Sequence, residues 1–179
     1  SFLPNSEAKT LTKASHLRGG NLPVLVRFSS FAGIPTISDV DDLASPRGIA
    51  IKFQPGSANE TDIVAHSYDG FPTATSAEFA ELLRALKSSG PDTAAPTPLD
   101  LFLTSHPIAK TFLTAQPPPP ASFATLRYYG VNSFKFTNAA GQSRFGRYQL
   151  VPAAGVHSLS KERIAGANKD SLEQEIGPR

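Results

Sequence analysis

Three apolar blocks with the composition of β-strands follow one another in the first part of the chain, and each carries a polar residue that strand formation alone does not require. The blocks are 24–31, 44–53 and 62–67. Arg27 and Ser29 interrupt the first block, and His66 lies near the end of the third. Apolar alternation is enough to make a half-buried strand, so nothing in that pattern demands these side chains. The blocks therefore predict three strands, with polar side chains at Arg27, Ser29 and His66 that the strand pattern does not explain.

The apolar period changes from two to about 3.6 after these strands. Thr75 and Glu78 have the spacing of a capping box, and Gly90 ends the helix that the box begins. The later predicted elements are helices from Thr97 and over 108–115, an extended proline connector over 117–120, strands over 122–131, 133–137 and 144–150, a hairpin turn over 138–142 and a helix-prone tail over 160–176. Strand groups separated by helices favour an antiparallel α+β fold rather than alternating βαβ units.

Composition limits the classes of partner. The chain has 179 residues with a net charge of +2, and its lysines and arginines form no cluster. This distribution argues against a nucleic-acid or membrane-surface partner. No apolar stretch is long enough to span a bilayer, and the absence of cysteine excludes disulfides and thiolate metal sites.

Three local motifs resemble those of the haem catalases, most closely the small catalase-related peroxidases. The motifs are Val-Arg-Phe-Ser at 26–29, Pro-Arg-Gly at 46–48 and Val-Ala-His-Ser at 64–67. The resemblance implies an α+β fold: a catalase-like antiparallel β-barrel with a helical insertion between two strand groups and a helical C-terminal tail.

The implied domain organisation follows the same plan. The barrel domain takes residues 1–152 and holds the helical insertion at about 75–115, and the helix-prone tail takes residues 153–179.

Five residues receive roles from the resemblance. Arg27 occupies the position of an arginine that pairs with a haem propionate, for which a guanidinium is well suited. Ser29 matches a serine that orients the distal catalytic histidine, and His66 stands where larger catalases place a distal asparagine. Phe71 and Phe79 have the spacing of distal-pocket phenylalanines. The alternatives are an ordinary strand arginine and serine, a structural histidine and phenylalanines that only fill the core.

Two groups that the family needs for catalysis are missing from the matching positions. The distal histidine belongs just upstream of the block that matches residues 2–6, and the proximal tyrosine belongs on a helix beyond the end of this chain. Arg144 and Tyr148 reproduce the Arg-x-x-x-Tyr spacing of the proximal ligand, but they fall in the last predicted strand. The resemblance therefore predicts a central barrel fragment of a larger protein, cut at both ends.

The function implied is haem-dependent breakdown of hydrogen peroxide or organic hydroperoxides by that larger protein. Two alternatives stay open: a haem-free, inert barrel module, and rearrangement of fatty-acid hydroperoxides as in allene oxide synthases. His16, His106 and His157 have no partners at metal-ligand spacing, so no protein-ligated metal site is predicted. Haem binding by this chain alone, the reducing substrate, homo-oligomerisation and the compartment are left open.

Overall fold

The computed structural model describes residues 1–30, 34 and 36–178, which form two compact units. The larger unit contains Ser1–Asp69 and the chain from Pro117 onward, and the smaller unit is Gly70–Gln116. The strands are β1 (Val24–Ser30), β2 (Arg47–Phe53), β3 (Thr61–His66), β4 (Tyr128–Tyr129), β5 (Phe134–Thr137), β6 (Ser143–Gly146) and β7 (Gln149–Leu150). The helices are α1 (Ala8–Leu11), α2 (Ser76–Lys87), α3 (Pro98–Ser105), α4 (Pro107–Thr114), α5 (Lys161–Ala165) and α6 (Ser171–Ile176).

The larger unit is built on a five-stranded antiparallel sheet in the order β1-β2-β3-β4-β7, accompanied by the β5–β6 hairpin. The α+β class with antiparallel strands is confirmed. Closure into a barrel is not confirmed: in the described part of the chain, β1 and β7 lie at opposite edges of the sheet and do not pair. The second strand group is too short to complete a barrel, because β4 and β7 have only two residues each.

One face of the sheet packs on the core. Ile49 and Ala65 from neighbouring strands form a buried cluster with Leu126 and Tyr128 from the second half of the chain. Phe53 at the end of β2 is also buried. Because side chains alternate along each strand, these residues fix which face the remaining side chains occupy.

A buried arginine lies at the beginning of β2. Arg47 is 1% exposed, and its Nη1 donates to Ser30 Oγ over 2.7 Å while its Nη2 donates to the Asp39 carbonyl. Burial lowers the pKa of Arg47, and the nearby carboxylates of Asp39 and Asp41 oppose that shift. The Asp39 carboxylate also accepts the Leu172 amide over 2.8 Å, so the same segment contacts both β2 and the C-terminal helix α6. The Pro-Arg-Gly turn thus supplies a polar junction inside the unit.

A buried histidine joins distant parts of the larger unit. The His16 ring stacks on Phe53 with centroids 4.6 Å apart. Its Nδ1 pairs with Thr61 Oγ1 at 2.8 Å and its Nε2 with the Tyr148 hydroxyl at 3.1 Å. Burial lowers the pKa of His16. Both ring nitrogens are therefore occupied by hydroxyl groups of other segments.

The smaller unit contains α2, α3 and α4. The capping box predicted for α2 is confirmed, since Thr75 accepts the Glu78 amide and Glu78 accepts the Thr75 amide. A second box caps α3 at Thr97, again as predicted for the start of that helix. Ala109 and Phe112 of α4 are buried.

Two predicted elements differ from the structure. The strand expected over 122–131 is wrong at its start, because Ser122 caps a 3-10 turn at Phe123–Thr125 and only β4 remains extended. The strand expected over 144–150 is divided into β6 and β7. The helix-prone tail is confirmed: it forms two short helices, α5 and α6, which are separated after Gly166.

Candidate active site

Arg27, Ser29 and His66 lie on the same face of the sheet. The register sets Ser29 opposite Gly48 and Gly48 opposite His66, so these residues form one row across β1, β2 and β3. Directly opposed residues of antiparallel strands point to the same face, and Arg27 shares that face because it is two residues from Ser29. The row spans two strand spacings, which puts the Ser29 and His66 backbones about 10 Å apart.

We call this face the open face, since none of its side chains is buried. Its members are Leu25, Arg27, Ser29, Gly48, Ala50, Lys52, Asp62, Val64 and His66. Leu25 is 61% exposed and Val64 is 69% exposed, although both are large apolar residues. The open face therefore offers apolar area, two cations and hydrogen-bonding groups to a ligand or to another part of a protein.

The charges of the open face are divided into a paired and an unpaired group. Lys52 contacts Asp62 at 3.1 Å, and the hydrogen bond that its ammonium donates to this carboxylate raises the pKa of Lys52. Arg27 is exposed, and no carboxylate in residues 1–30, 34 and 36–178 forms an ion pair with it. Arg27 is thus the cation on this face that is available to bind the carboxylate of a ligand. The Lys52–Asp62 pair was not anticipated, since its signal appears only once the register is known.

One hydrogen bond determines which ring nitrogen of neutral His66 carries the proton. Its Nδ1 accepts the Tyr68 amide over 3.3 Å, which leaves Nε2 as the protonated nitrogen of the neutral ring. Burial lowers the pKa of His66, and the nearby Asp69 carboxylate opposes this. Burial therefore favours the neutral ring, with its proton on Nε2, which is itself a buried atom.

Ser29 can also be reached from a cavity of about 590 Å³ beside the end of β1. Its lining includes Ser30 and the acidic residues Asp39, Asp170 and Glu173. Ser29 therefore borders this cavity as well as the open face.

Phe71 and Phe79 belong to the smaller unit. Their ring centroids are 5.2 Å apart, and Phe71 also lies 6.4 Å from Phe112. They form an aromatic cluster within that unit, so their predicted role in lining a cofactor pocket stays a prediction.

Tyr148 has a structural environment in the larger unit. It is the partner of His16, and burial raises the pKa of its phenol. Arg144, with which it shares the Arg-x-x-x-Tyr spacing, lies in β6. This placement agrees with interpreting Tyr148 as a residue of the sheet region rather than as an iron ligand.

The described residues form neither a cluster of metal ligands nor a membrane-spanning helix. Residues 1–30, 34 and 36–178 bring together no group of three or more His, Asp or Glu side chains that could hold a metal ion. In the same residues no helix has the length and apolar character needed to cross a membrane.

Comparison with known proteins gives a consistent result. The catalase family model matches residues 1–177. A catalase-related peroxidase of Mycolicibacterium paratuberculosis is 34% identical over 99% of this chain and 56% of its own length. One from Synechococcus elongatus is 30% identical over 98% of the chain and 52% of its own length. The chain thus spans about half the length of these relatives.

Solved structures agree on the fold. A fungal catalase crystal structure superposes with a TM-score of 0.77 at 23% identity, covering 97% of this chain and 36% of that one. A bacterial catalase superposes with a TM-score of 0.77 at 22% identity, covering 94% of this chain and 34% of that one. With a family model that matches nearly every residue and relatives that share the sequence along its whole length, the chain belongs to the catalase family.

Proposed function

We propose that this chain supplies part of the active site of a haem-dependent enzyme that breaks down hydrogen peroxide or organic hydroperoxides. The observation that carries the proposal is the register that aligns Ser29, Gly48 and His66 in one row, with Arg27 on the same face. Arg27 and Ser29 lie on β1 and His66 lies on β3, and the face that these three polar residues share is the one that the core leaves uncovered.

The chemistry of the open face fits haem, a flat apolar ring with two carboxylates. Gly48 and Ala50 leave little side-chain volume above the middle strand, β2. Leu25 and Val64 on the neighbouring strands add exposed apolar area. Arg27 provides the guanidinium that binds a carboxylate through two parallel hydrogen bonds. When bound, haem supplies the redox chemistry of peroxide breakdown. The side chains would contribute binding, orientation and hydrogen bonding.

Each polar residue then has a distinct task. Arg27 holds the carboxylate and so fixes the ligand on the face. His66 contributes a ring whose Nδ1 is engaged by the Tyr68 amide, so any hydrogen bond that the neutral ring donates in the site comes from Nε2. Ser29 offers a hydroxyl that can donate and accept, which suits it to orient a neighbouring catalytic group.

Haem titration tests the proposal directly. The 179-residue chain and the complete product of its gene are titrated with haemin, and turnover is measured with hydrogen peroxide and with cumene hydroperoxide. A Soret band with peroxide consumption by the complete product is the expected result. Flat absorbance and no turnover in both samples would contradict the proposal and support the inert module.

A matched pair of arginine variants tests the carboxylate contact. Arg27→Leu is expected to weaken haem binding roughly tenfold or more, the usual effect of losing a hydrogen bond to a charged group. Arg18→Leu removes another exposed arginine of the larger unit and is expected to leave the affinity unchanged. Equal effects of the two substitutions would show that only net charge matters.

A further inference from the structure

Gly48 lies at the centre of the row and approaches Ser29 unusually closely. A Cβ atom built on Gly48 would lie 2.5 Å from Ser29 Oγ, a separation that real Cβ atoms essentially never show. The next nearest atoms, the Ser29 carbonyl oxygen and Cβ, would lie at ordinary distances of 3.7 and 3.8 Å. Among the described residues, the only conflict is therefore with the serine hydroxyl.

Backbone conformation does not explain this glycine. Gly48 is an ordinary residue of β2 that pairs on both sides, and it is not among the glycines with a positive φ angle. Glycine within a strand weakens it and often marks a place that another group approaches closely. Here the group that approaches is the hydroxyl of Ser29.

We propose that Gly48 is a positioning residue: its missing side chain keeps open the space in which the Ser29 hydroxyl lies, and thereby fixes the direction of that hydroxyl on the open face. A methyl group at position 48 would force Ser29 into another staggered rotamer and move Oγ by roughly 2 Å. The inference rests on the proposed function, because it assigns Gly48 a part in the same site.

A double-mutant cycle tests this role, using Gly48→Ala, Ser29→Ala and the two together in the complete gene product loaded with haem. If Gly48 acts through the hydroxyl, Gly48→Ala lowers kcat/KM about three- to tenfold, as expected for one hydrogen bond. In the Ser29→Ala background the same change has no further effect, since the conflicting atom is gone. Gly20→Ala is the control, because a Cβ there meets nothing within 4 Å.

A second readout does not depend on activity. A crystal structure of the Gly48→Ala variant is expected to show the sheet unchanged and the Ser29 side chain rotated. Strands that separate while Ser29 keeps its rotamer would overturn the inference. So would a loss of activity that is equal in both backgrounds, or no loss in either.

The two proposals fail in different ways. Wild-type protein that neither binds haem nor consumes peroxide contradicts the proposed function, and the role of Gly48 falls with it. An active wild-type enzyme whose cycle shows no coupling contradicts the role of Gly48 alone.

Discussion

Replacing the buried Arg47 by methionine is expected to destabilise the protein by roughly 3 kcal/mol. The arginine donates to Ser30 Oγ and to the Asp39 carbonyl, and a hydrogen bond from a charged donor contributes about 1.5–3 kcal/mol. Part of this loss of stability is offset, because the methionine variant has no charge to take out of water on folding. The lowered pKa of Arg47 reflects the same desolvation cost. Methionine retains most of the aliphatic stem, so little packing is lost.

The assay is urea unfolding followed by circular dichroism, with the slope of the transition monitored to show that the variant unfolds in the same way. For a chain of this length, 3 kcal/mol corresponds to a fall in Tm of roughly 6–12 °C. Arg27→Met is the matched control: it removes an exposed arginine of the adjacent strand and should change stability by less than about 0.5 kcal/mol. Ser30→Ala, which removes one acceptor, should cost about 1 kcal/mol.

An Arg47→Met variant as stable as the wild type, or more stable, would refute this reasoning. It would mean that the desolvation of the cation outweighs its hydrogen bonds, as happens in some proteins when a buried ion pair is replaced by apolar residues. The sign of the change in the free energy of unfolding therefore shows whether the buried Arg47 and its hydrogen bonds stabilise the protein or are retained for another reason.

Three further outcomes can be measured on the same protein. Because burial holds the pKa of His16 below 6.5, the unfolded state binds a proton first as the pH falls. Stability is therefore complete above about pH 6.5 and falls below it by up to about 1.4 kcal/mol per pH unit, and His16→Gln should reduce that slope in urea titrations, an unchanged slope counting against this role. Thr75→Ala removes the acceptor for the Glu78 amide and should lower the free energy of unfolding by about 1 kcal/mol, an unchanged midpoint counting against the cap. Tyr148→Phe deletes the hydroxyl bound to His16 and should lower stability by about 1 kcal/mol in the wild type but much less in His16→Gln, whereas additive losses would show that the pair is not coupled.

Local signals predicted the helices of the smaller unit well. Each helix start satisfies its own free backbone amides within one turn, so the sequence around it is enough. The pairs are Thr75 with Glu78 and Thr97 with Asp100, and Pro98 at the first helical position has no amide to satisfy. The strand expected from Ser122 failed because a local turn and a distant contact act together. Ser122 Oγ accepts the Ala124 amide and its carbonyl accepts the Thr125 hydroxyl, which favours the 3-10 turn. Thr125 also donates to the carbonyl of His157, a contact over 32 residues that is not visible in a sequence window.

The candidate site was predictable in part. The motifs identified Arg27, Ser29 and His66, and alternation along a strand was enough to place Arg27 and Ser29 together. The pairing that sets Gly48 between Ser29 and His66 depends on register, which the sequence of one strand does not contain. His16 shows the same limit, since its partners Thr61 and Tyr148 are 45 and 132 residues away.

The middle strand of the sheet has two sides with opposite tolerance to mutation. At Ile49 and Phe53, removal of volume leaves a void and a polar substitution buries an unpaired group, whereas at Gly48 one added carbon meets the Ser29 hydroxyl. A saturation-mutagenesis profile along β2 is therefore expected to penalise loss of volume at the buried positions and gain of volume at Gly48.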